Sequence, residues 1–169
     1  MVPVMSVPEV IPIRHEPDYR TSTIGRCRGG QFFASVTATL PEDWSDGDWQ
    51  SRKRWYSVLH RFDEAGRHLD SRIQFTGTTA DGERKAVDAA GLLLAEWLDA
   101  LPDRQYQDIA IAPFEVRFEE ALFGLVVEED EDGEPGEEGE EEGEGRGVWV
   151  ELYPDGLGFT APWDGCYDT

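Results

Sequence analysis

The segment WYSVLHRFDEAGRHLDSRIQFTG, residues 55–77, decides the fold, because it contains two alternating strands joined by a turn. Trp55–Phe62 and His68–Gly77 each place apolar residues at alternate positions along one face, which is typical of half-buried strands. Between them, Asp63–Gly66 forms a short polar loop that ends in glycine. Two such strands in direct succession predict an antiparallel hairpin, whereas parallel neighbours would need a long crossover, usually a helix, between them.

The register of this hairpin follows from pairing Phe62 with Arg67, which places His60 opposite Leu69. The apolar residues of both strands then share one face, namely Tyr56, Val58, Phe62, Leu69, Ile73 and Phe75. His60 points to the core side and His68 to the opposite face, so the two imidazoles are not expected to share a metal ion or a proton. We interpret His60 as a buried, hydrogen-bonded residue rather than a catalytic one.

The other elements repeat this pattern around a single helix. Residues 80–101 carry apolar side chains at helical spacing, with Thr79 or Asp81 as a candidate N-cap, and Pro102 ends the helix. Pro113 interrupts one predicted strand and indicates an edge position or a bulge. The remaining predicted strands are Tyr19–Arg26, Gln31–Leu40, Ile109–Phe118, Ala121–Glu128 and Gly147–Tyr153.

The order β-β-β-β-α-β-β-β predicts an α+β fold. We expect a mainly antiparallel, twisted sheet of about six to seven strands with one long helix packed on one face. Residues 1–16, interrupted by prolines, are interpreted as a flexible N-terminal arm, and residues 17–169 as a single domain. Residues 128–146 are expected to form an acidic, disordered insertion in the hairpin between the last two strands.

Charge limits the classes of partner. The net charge is −21, and the segment EEDEDGEPGEEGEEEGEG, residues 128–145, contributes twelve of the 36 acidic residues. Without it, 24 acidic and 15 basic residues remain, so the rest of the chain carries −9. Such a chain is repelled by phosphate backbones and anionic lipids, which argues against nucleic-acid and membrane partners and leaves a basic protein partner open.

The acidic segment resembles a calcium loop only in part. Glu128, Asp130 and Asp132 fall at ligand positions and Gly133 at the turn, but Gly139 stands where a bidentate glutamate is needed. We therefore predict no specific metal site here. Two interpretations of the segment remain: a solvated loop that opposes self-association, or a surface for a basic partner.

Catalytic motifs are not found in the sequence. It has no GxSxG, no HExxH and no phosphate-binding loop, so we predict no catalytic residue and no cofactor. Cys27 lies between Arg26 and Arg28, which would lower the pKa of an exposed thiol, but a hairpin-end cysteine is the simpler interpretation. Cys27 and Cys166 are too few for a disulfide framework, and no signal peptide or membrane span is evident, which favours a cytoplasmic location.

Two aromatic loops, residues 41–50 and 156–169, are the best candidates for a partner or ligand surface. They combine aromatic side chains with Asp, Gly and Pro, which is typical of interaction anchors and pocket walls. The alternative is that they cover the ends of the sheet, and we expect the C-terminal loop to be docked. The candidate residues are Trp44, Asp46, Asp48, Trp49, Phe159, Trp163, Asp164 and Tyr167.

The leading hypothesis from the sequence is a non-enzymatic, acidic, intracellular interaction protein. It would bind a basic effector in the manner of an inhibitor or immunity protein, through complementary charge. The alternative is a small-molecule-binding protein or enzyme with a pocket lined by Trp44, Trp49, Trp163 and acidic side chains.

Overall fold

The computed structural model describes residues 7–40, 48–129 and 148–168, and within these ranges eleven antiparallel strands form three sheets. The five-stranded sheet has the order β5-β4-β3-β2-β6, the four-stranded sheet has the order β11-β10-β9-β8, and β1 pairs with β7. The elements are β1 (Ile11–Ile13), β2 (Ile24–Cys27), β3 (Gly30–Thr39), α1 (Trp49–Arg52), β4 (Arg54–Phe62), β5 (His68–Thr78), α2 (Thr79–Asp99), β6 (Gln105–Tyr106), β7 (Ile109–Ile111), β8 (Phe114–Phe118), β9 (Ala121–Glu129), β10 (Val148–Tyr153) and β11 (Leu157–Phe159).

The long helix α2 packs on one face of the five-stranded sheet, as predicted. Its buried residues recur every fourth position, so they form one stripe along the helix: Ala86, Ala90, Leu94 and Leu98. Leu94 and Leu98 pack with Phe32, Ala34 and Leu59 of the sheet. The α+β class and the packing of a single long helix are therefore confirmed.

Thr78 caps the start of α2. Its hydroxyl accepts a hydrogen bond from the Asp81 N–H at 3.1 Å, and the Asp81 carboxylate accepts one from the Thr78 N–H. This reciprocal pair satisfies two N–H groups that a helix start otherwise leaves unpaired. Asp81, one of the two candidate caps, therefore acts as the partner of the cap. Neither helix in the described ranges is long and apolar enough to cross a membrane.

The opposite face of the five-stranded sheet is also buried, by the four-stranded sheet and the β1–β7 ribbon. Phe32 and Phe33 are adjacent in β3 and point to opposite faces, yet they are only 0% and 2% exposed. Phe33 packs with Leu125, Val150 and other residues of the outer strands. The molecule therefore has three layers, with α2 outside, the five-stranded sheet in the middle and the four-stranded sheet beyond it. The strands predicted for one sheet are thus divided between sheets.

The prediction of a flexible arm over residues 1–16 is wrong for residues 11–13. Ile11 and Ile13 form β1, pair with Ile111 and Ile109, and are fully buried. Burial of an isoleucine side chain stabilises by roughly 1.5–3 kcal/mol, which offsets the entropy lost when these positions are fixed. Residues 1–6 lie outside the described ranges.

Pro113 separates two strands that the sequence predicted as one. β7 ends at Ile111 and pairs with β1, whereas β8 starts at Phe114 and forms an edge of the four-stranded sheet. A proline lacks the N–H that a strand ladder requires, so the chain leaves one sheet here and joins another. The edge position of β8 agrees with the prediction for this segment.

The register of the β4–β5 hairpin differs from the predicted one. His60 pairs with Ser71 and Val58 with Ile73, and irregularities lie between Arg61 and Phe62 and between Trp55 and Tyr56. The first irregularity places Phe62 opposite His68, and Leu69 is 53% exposed. A bulge inserts one extra residue and reverses the alternation beyond it. His68 therefore lies on the same face as His60, contrary to the prediction.

The hairpin that carries the acidic segment is paired as predicted. β9 and β10 run antiparallel from Leu125 opposite Leu152 to Glu129 opposite Val148. The two ends that the segment connects are thus held side by side. Glu128 and Glu129, the first two residues of the predicted insertion, belong to β9 and pair with Trp149 and Val148, so the predicted start at residue 128 is wrong. Residues 130–147, with the rest of the predicted insertion and of the rejected calcium loop, lie outside the described ranges.

Candidate functional site

A cleft of about 560 Å³ lies beside the C-terminal half of β3. β2 pairs with β3 only as far as Phe33. Ala34 makes the last contacts on this side, because its N–H donates to the Thr23 carbonyl at 3.0 Å and its carbonyl accepts from Thr23 Oγ1 at 2.5 Å. Beyond Ala34, no strand in the described part of the chain pairs with this edge of β3. The cleft occupies the space next to that free edge.

The walls of the cleft come from all three layers. The β3 residues that line it are consecutive, 35–38, so their side chains point alternately to the two faces of the sheet. Trp55 on β4 and Leu94 on α2 line the helix side. Asp155, in the turn between β10 and β11, lines the side of the four-stranded sheet. The cleft therefore lies in the plane of the middle sheet, between the two outer layers.

Asp155 is the acidic group of the cleft. Its Oδ1 accepts a hydrogen bond from Thr37 Oγ1 of β3. Burial raises the pKa of Asp155 above its ordinary range, although the Thr37 hydrogen bond and the nearby charge of Arg20 act in the opposite direction. Among the described residues, Thr37 is the one side chain that donates to Asp155, so this carboxyl can accept a further hydrogen bond from an arriving cationic or N–H group.

Lys53 and Trp55 form the opposite, basic and aromatic wall. The Lys53 ammonium lies 5.0 Å from the Trp55 ring centroid and 6.0 Å from that of Trp49. The Trp55 indole N–H donates to Thr79 Oγ1 at 3.0 Å, which holds the ring against the start of α2. Cation–π contacts of this kind orient a lysine while leaving its charge available.

Tyr19 and Arg20 lie at the end of the cleft. Tyr19 is 56% exposed, and the Arg20 guanidinium carbon lies 5.9 Å from its ring centroid. The Tyr19 ring stacks on Tyr167 at 6.3 Å, and the Tyr167 hydroxyl donates to Glu16 Oε1 at 2.8 Å. Burial, followed by the bond to Glu16, raises the pKa of Tyr167 to about 12, so it stays a neutral donor. Tyr167 thus supports the Tyr19 ring at the end of the cleft.

These groups are suited to recognition of a partner. A carboxyl, an ammonium and a guanidinium lie around one opening, and aromatic rings flank both cations. Buried polar contacts set specificity and aromatic surfaces supply most of the binding free energy in such sites.

No family model, curated protein or solved structure matches this chain.

The residues predicted in the first aromatic loop lie only partly within the described ranges. Trp44 and Asp46 fall outside them. Asp48 precedes α1 and its carboxylate accepts a hydrogen bond from Ser51 Oγ at 3.0 Å. Trp49 is half-buried and reaches the cleft only through Lys53.

The residues predicted in the C-terminal loop are mostly structural. Phe159 is 1% exposed and Trp163 packs against the same core, so the loop is docked as expected. The exposed Asp164 accepts a hydrogen bond from the Cys166 N–H at 3.2 Å. Among the described residues, no contact joins Trp49 to these aromatic side chains. The described members of the predicted set therefore do not form one surface, and Trp49 and Tyr167 contact the cleft only through the lining residues Lys53 and Tyr19.

A second polar cluster joins His60, Ser71 and His68. Ser71 Oγ lies 2.6 Å from His60 Nδ1 and 2.8 Å from His68 Nε2. Phe114 of β8 packs on both imidazoles, with centroid distances of 4.7 and 4.6 Å. Burial lowers the pKa of His60 to about 3 and also lowers that of His68. The prediction of a buried, hydrogen-bonded His60 is confirmed, and the cluster joins the middle sheet to β8.

A second groove, of about 400 Å³, lies near the C-terminal end of α2. Its arginines already have partners, because Arg61 forms a two-point pair with Asp70 at 2.6 and 3.0 Å and Arg72 lies 4.9 Å from the Trp97 ring centroid. Their charges are thus less available to a ligand than those of the β3 cleft.

Cys27 is not an activated thiol. It is half-buried at the end of β2, and burial raises its pKa while the charge of Arg61 acts weakly in the opposite direction. Arg28, which was expected to lower this pKa, instead pairs with Asp103 at 3.0 Å. The interpretation as a hairpin-end cysteine fits this placement, and Cys27 and Cys166 are both free.

Sequence reasoning missed the central residues of the cleft. Asp155 carried a usable signal, because Tyr-Pro-Asp-Gly at 153–156 is typical of a turn between two strands, and Leu157–Phe159 could have been interpreted as the second strand. Thr37 and Lys53 carried none, since a strand threonine and a loop lysine are common.

Proposed function

We propose that this protein is a non-enzymatic interaction protein and that a basic partner protein binds at the β3 cleft. The observation that carries the proposal is the Asp155 carboxyl, which lies inside the cleft with Thr37 as its hydrogen-bond donor. A cationic side chain that reaches it would form a charge-assisted hydrogen bond in a partly desolvated place, where such bonds are strong. An inhibitor of a basic effector is the class of function that this arrangement favours.

The charge of the whole chain supports this choice of partner. A net charge of −21 attracts a basic protein over distances longer than any contact and repels an acidic one. Close to the surface, Trp55 and Tyr19 supply the aromatic area that commonly dominates binding energy. Lys53 and Arg20 disfavour a segment that is basic at every position, which adds selectivity.

Site-specific photo-crosslinking tests the proposal. A photoreactive phenylalanine analogue replaces Ala38 in the cleft or, as the control, Leu92, which lies on α2 and is 75% exposed. Crosslinking in native lysate, followed by mass spectrometry, should yield an adduct with a basic protein from position 38 only. An adduct of equal yield from position 92, an acidic captured protein, or no adduct at position 38 would refute the proposal.

Substitution of Asp155 tests the same proposal by affinity. Asp155→Asn keeps the shape and the bond from Thr37 but removes the charge, and the loss of a desolvated charge pair weakens binding by about 2 kcal/mol or more, roughly 30-fold. Glu96→Gln, on the exposed face of α2, is the matched control for net charge and should change affinity by less than about 3-fold. Equal effects of the two variants would place the partner elsewhere.

A small-molecule ligand at the same cleft is the second candidate, and the size of the cleft favours it. A volume of about 560 Å³ lies in the usual range for small-ligand sites, roughly 300–1,000 Å³. A thermal-shift screen with cationic and zwitterionic metabolites should then raise the melting temperature of the native protein and not that of Asp155→Asn. No shift, or equal shifts in both proteins, would eliminate this candidate.

A further inference from the structure

We propose that the partner binds at the cleft as an added β-strand, through an extended segment that pairs with the free edge of β3; this inference rests on the proposed function. In a strand, the N–H and C=O of one residue point to the same side, and successive residues point to opposite sides. Ala34 directs both groups towards Thr23, away from β4. By this alternation Val36 and Ala38 direct their N–H and C=O groups into the cleft.

The intervening residues already have partners on the other side. Ser35 pairs with Val58 and Thr37 with Tyr56 in the antiparallel ladder between β3 and β4. The cleft edge therefore offers four backbone groups, two donors and two acceptors, on two residues about 7 Å apart. An extended segment is the ligand whose backbone presents complementary groups at that spacing.

The position of the cleft favours a strand over a more compact ligand. An added strand must lie in the plane of the sheet, about 4.8 Å from its neighbour. The cleft lies in that plane, since its lining alternates between the helix side and the side of the four-stranded sheet. The two outer layers would cover the two faces of the added strand, as they cover β3 itself.

The two walls specify an alternating sequence for the segment. Side chains that point to one face would meet Asp155 and Thr37, which favours lysine or arginine. Side chains that point to the other face would meet Trp55, Leu94 and the Val36 side chain, which packs in the helix-side core, and this favours apolar residues. The segment should therefore alternate basic and apolar residues, a pattern that a chain of net charge −21 also attracts.

Peptide selection on the full-length protein tests this inference. The probe is a library of random linear ten-residue peptides displayed on phage, with the enriched sequences then synthesised. We expect alternating basic and apolar peptides whose affinity falls at least 10-fold with Asp155→Asn and less than 3-fold with Glu96→Gln. Methylation of single backbone nitrogens in the best peptide should weaken binding at least 10-fold at every second residue and little at the residues between.

Amide hydrogen exchange supplies a readout that does not depend on substitutions. The amides of Val36 and Ala38 should exchange quickly in the free protein and at least 10-fold more slowly with the peptide bound. The amides of Ser35 and Thr37, paired with β4, should be slow in both states and serve as internal controls.

The outcomes separate the two proposals. Peptides that bind elsewhere, or no enriched peptide, would overturn the added strand, whereas the proposed function is decided separately by photo-crosslinking from position 38. Peptides that need Asp155 but show no two-residue methylation pattern, and no protection of Val36 and Ala38, would overturn the added strand alone. A free protein that sediments as a dimer with Val36 and Ala38 already protected would show that a second copy occupies the edge, which also overturns it.

Discussion

Thr37 and Asp155 are 118 positions apart in the sequence and are joined by a hydrogen bond from the Thr37 hydroxyl to the Asp155 carboxyl. The bond connects the middle sheet to the β10–β11 turn of the outer sheet. It therefore fixes the distance between two layers at the wall of the β3 cleft. The free energy of unfolding and the affinity of the cleft for its partner should therefore respond to the same substitutions.

Thr37→Val should lower the free energy of unfolding by about 1–3 kcal/mol, because it removes the donor that the buried Thr37 supplies to the half-buried Asp155 carboxyl. Urea denaturation at pH 7 measures the change. Thr39→Val is the matched control, since Thr39 lies two residues further along β3 and is half-buried. It should alter stability by less than about 0.5 kcal/mol. Equal effects of the two variants would mean that the hydrogen bond contributes nothing.

Asp155→Asn should make the protein more stable at pH 7 even though it weakens binding. The pKa of Asp155 is raised in the folded state above its ordinary 3.8, so its ionisation opposes folding as the pH rises above that value. Asparagine does not ionise, and the difference between the two proteins should vanish below about pH 4. Urea titrations from pH 4 to pH 8 measure this, with Glu96→Gln correcting for net charge. A stability difference between the two proteins that increases as the pH falls would contradict this prediction.

His60→Gln should make the free energy of unfolding depend less steeply on pH below about pH 6.5. The folded state keeps His60 neutral down to about pH 3, whereas the unfolded chain binds a proton near 6.5, so stability falls as the pH drops through that interval. One such group accounts for a slope of up to about 1.4 kcal/mol per pH unit. Denaturation at pH 5, 6 and 7 should show the smaller slope in the variant, and His15→Gln serves as the control. An unchanged slope would show that His60 is not held neutral.

Leu98→Ala should destabilise the fold by about 2–5 kcal/mol, because Leu98 is 5% exposed and packs between α2 and the middle sheet. Leu92→Ala, on the same helix but 75% exposed, should cost less than about 0.5 kcal/mol. Chemical denaturation of both variants measures the contrast. Comparable losses would argue against this helix orientation.

Replacement of residues 130–147 by Asn-Gly should leave one cooperative unfolding transition. Glu129 and Val148 are already paired, so a two-residue turn can join them. The shorter connection reduces the entropic cost of closing the loop, so it should stabilise the folded protein by up to about 2 kcal/mol. Thermal unfolding followed by circular dichroism measures the outcome. Loss of cooperativity would show that the replaced residues contribute to the core.

Local patterns predicted most of the secondary structure, and particular residues show where these patterns failed to predict it. Alternation located β3, β4, β5, β9 and β10, and helical spacing located α2, because these patterns depend only on which side chains face the core. The β4–β5 register failed at Leu69, since alternation cannot reveal a bulge. The role of β1 was missed because Pro12 separates its two isoleucines, and a proline inside a segment argues against a strand unless it lies at an edge or a bulge.

By itself, the sequence determined the α+β class, the position of the long helix, the hairpins and the strongly acidic character, because local periodicity and composition suffice for these. Only the tertiary structure decided that Phe32 and Phe33 of β3 face two different layers and that β2 ends before β3 does. It also decided that Thr37 meets Asp155 across 118 positions. These features arise where separate elements pack together, and packing between distant segments leaves no period in the chain.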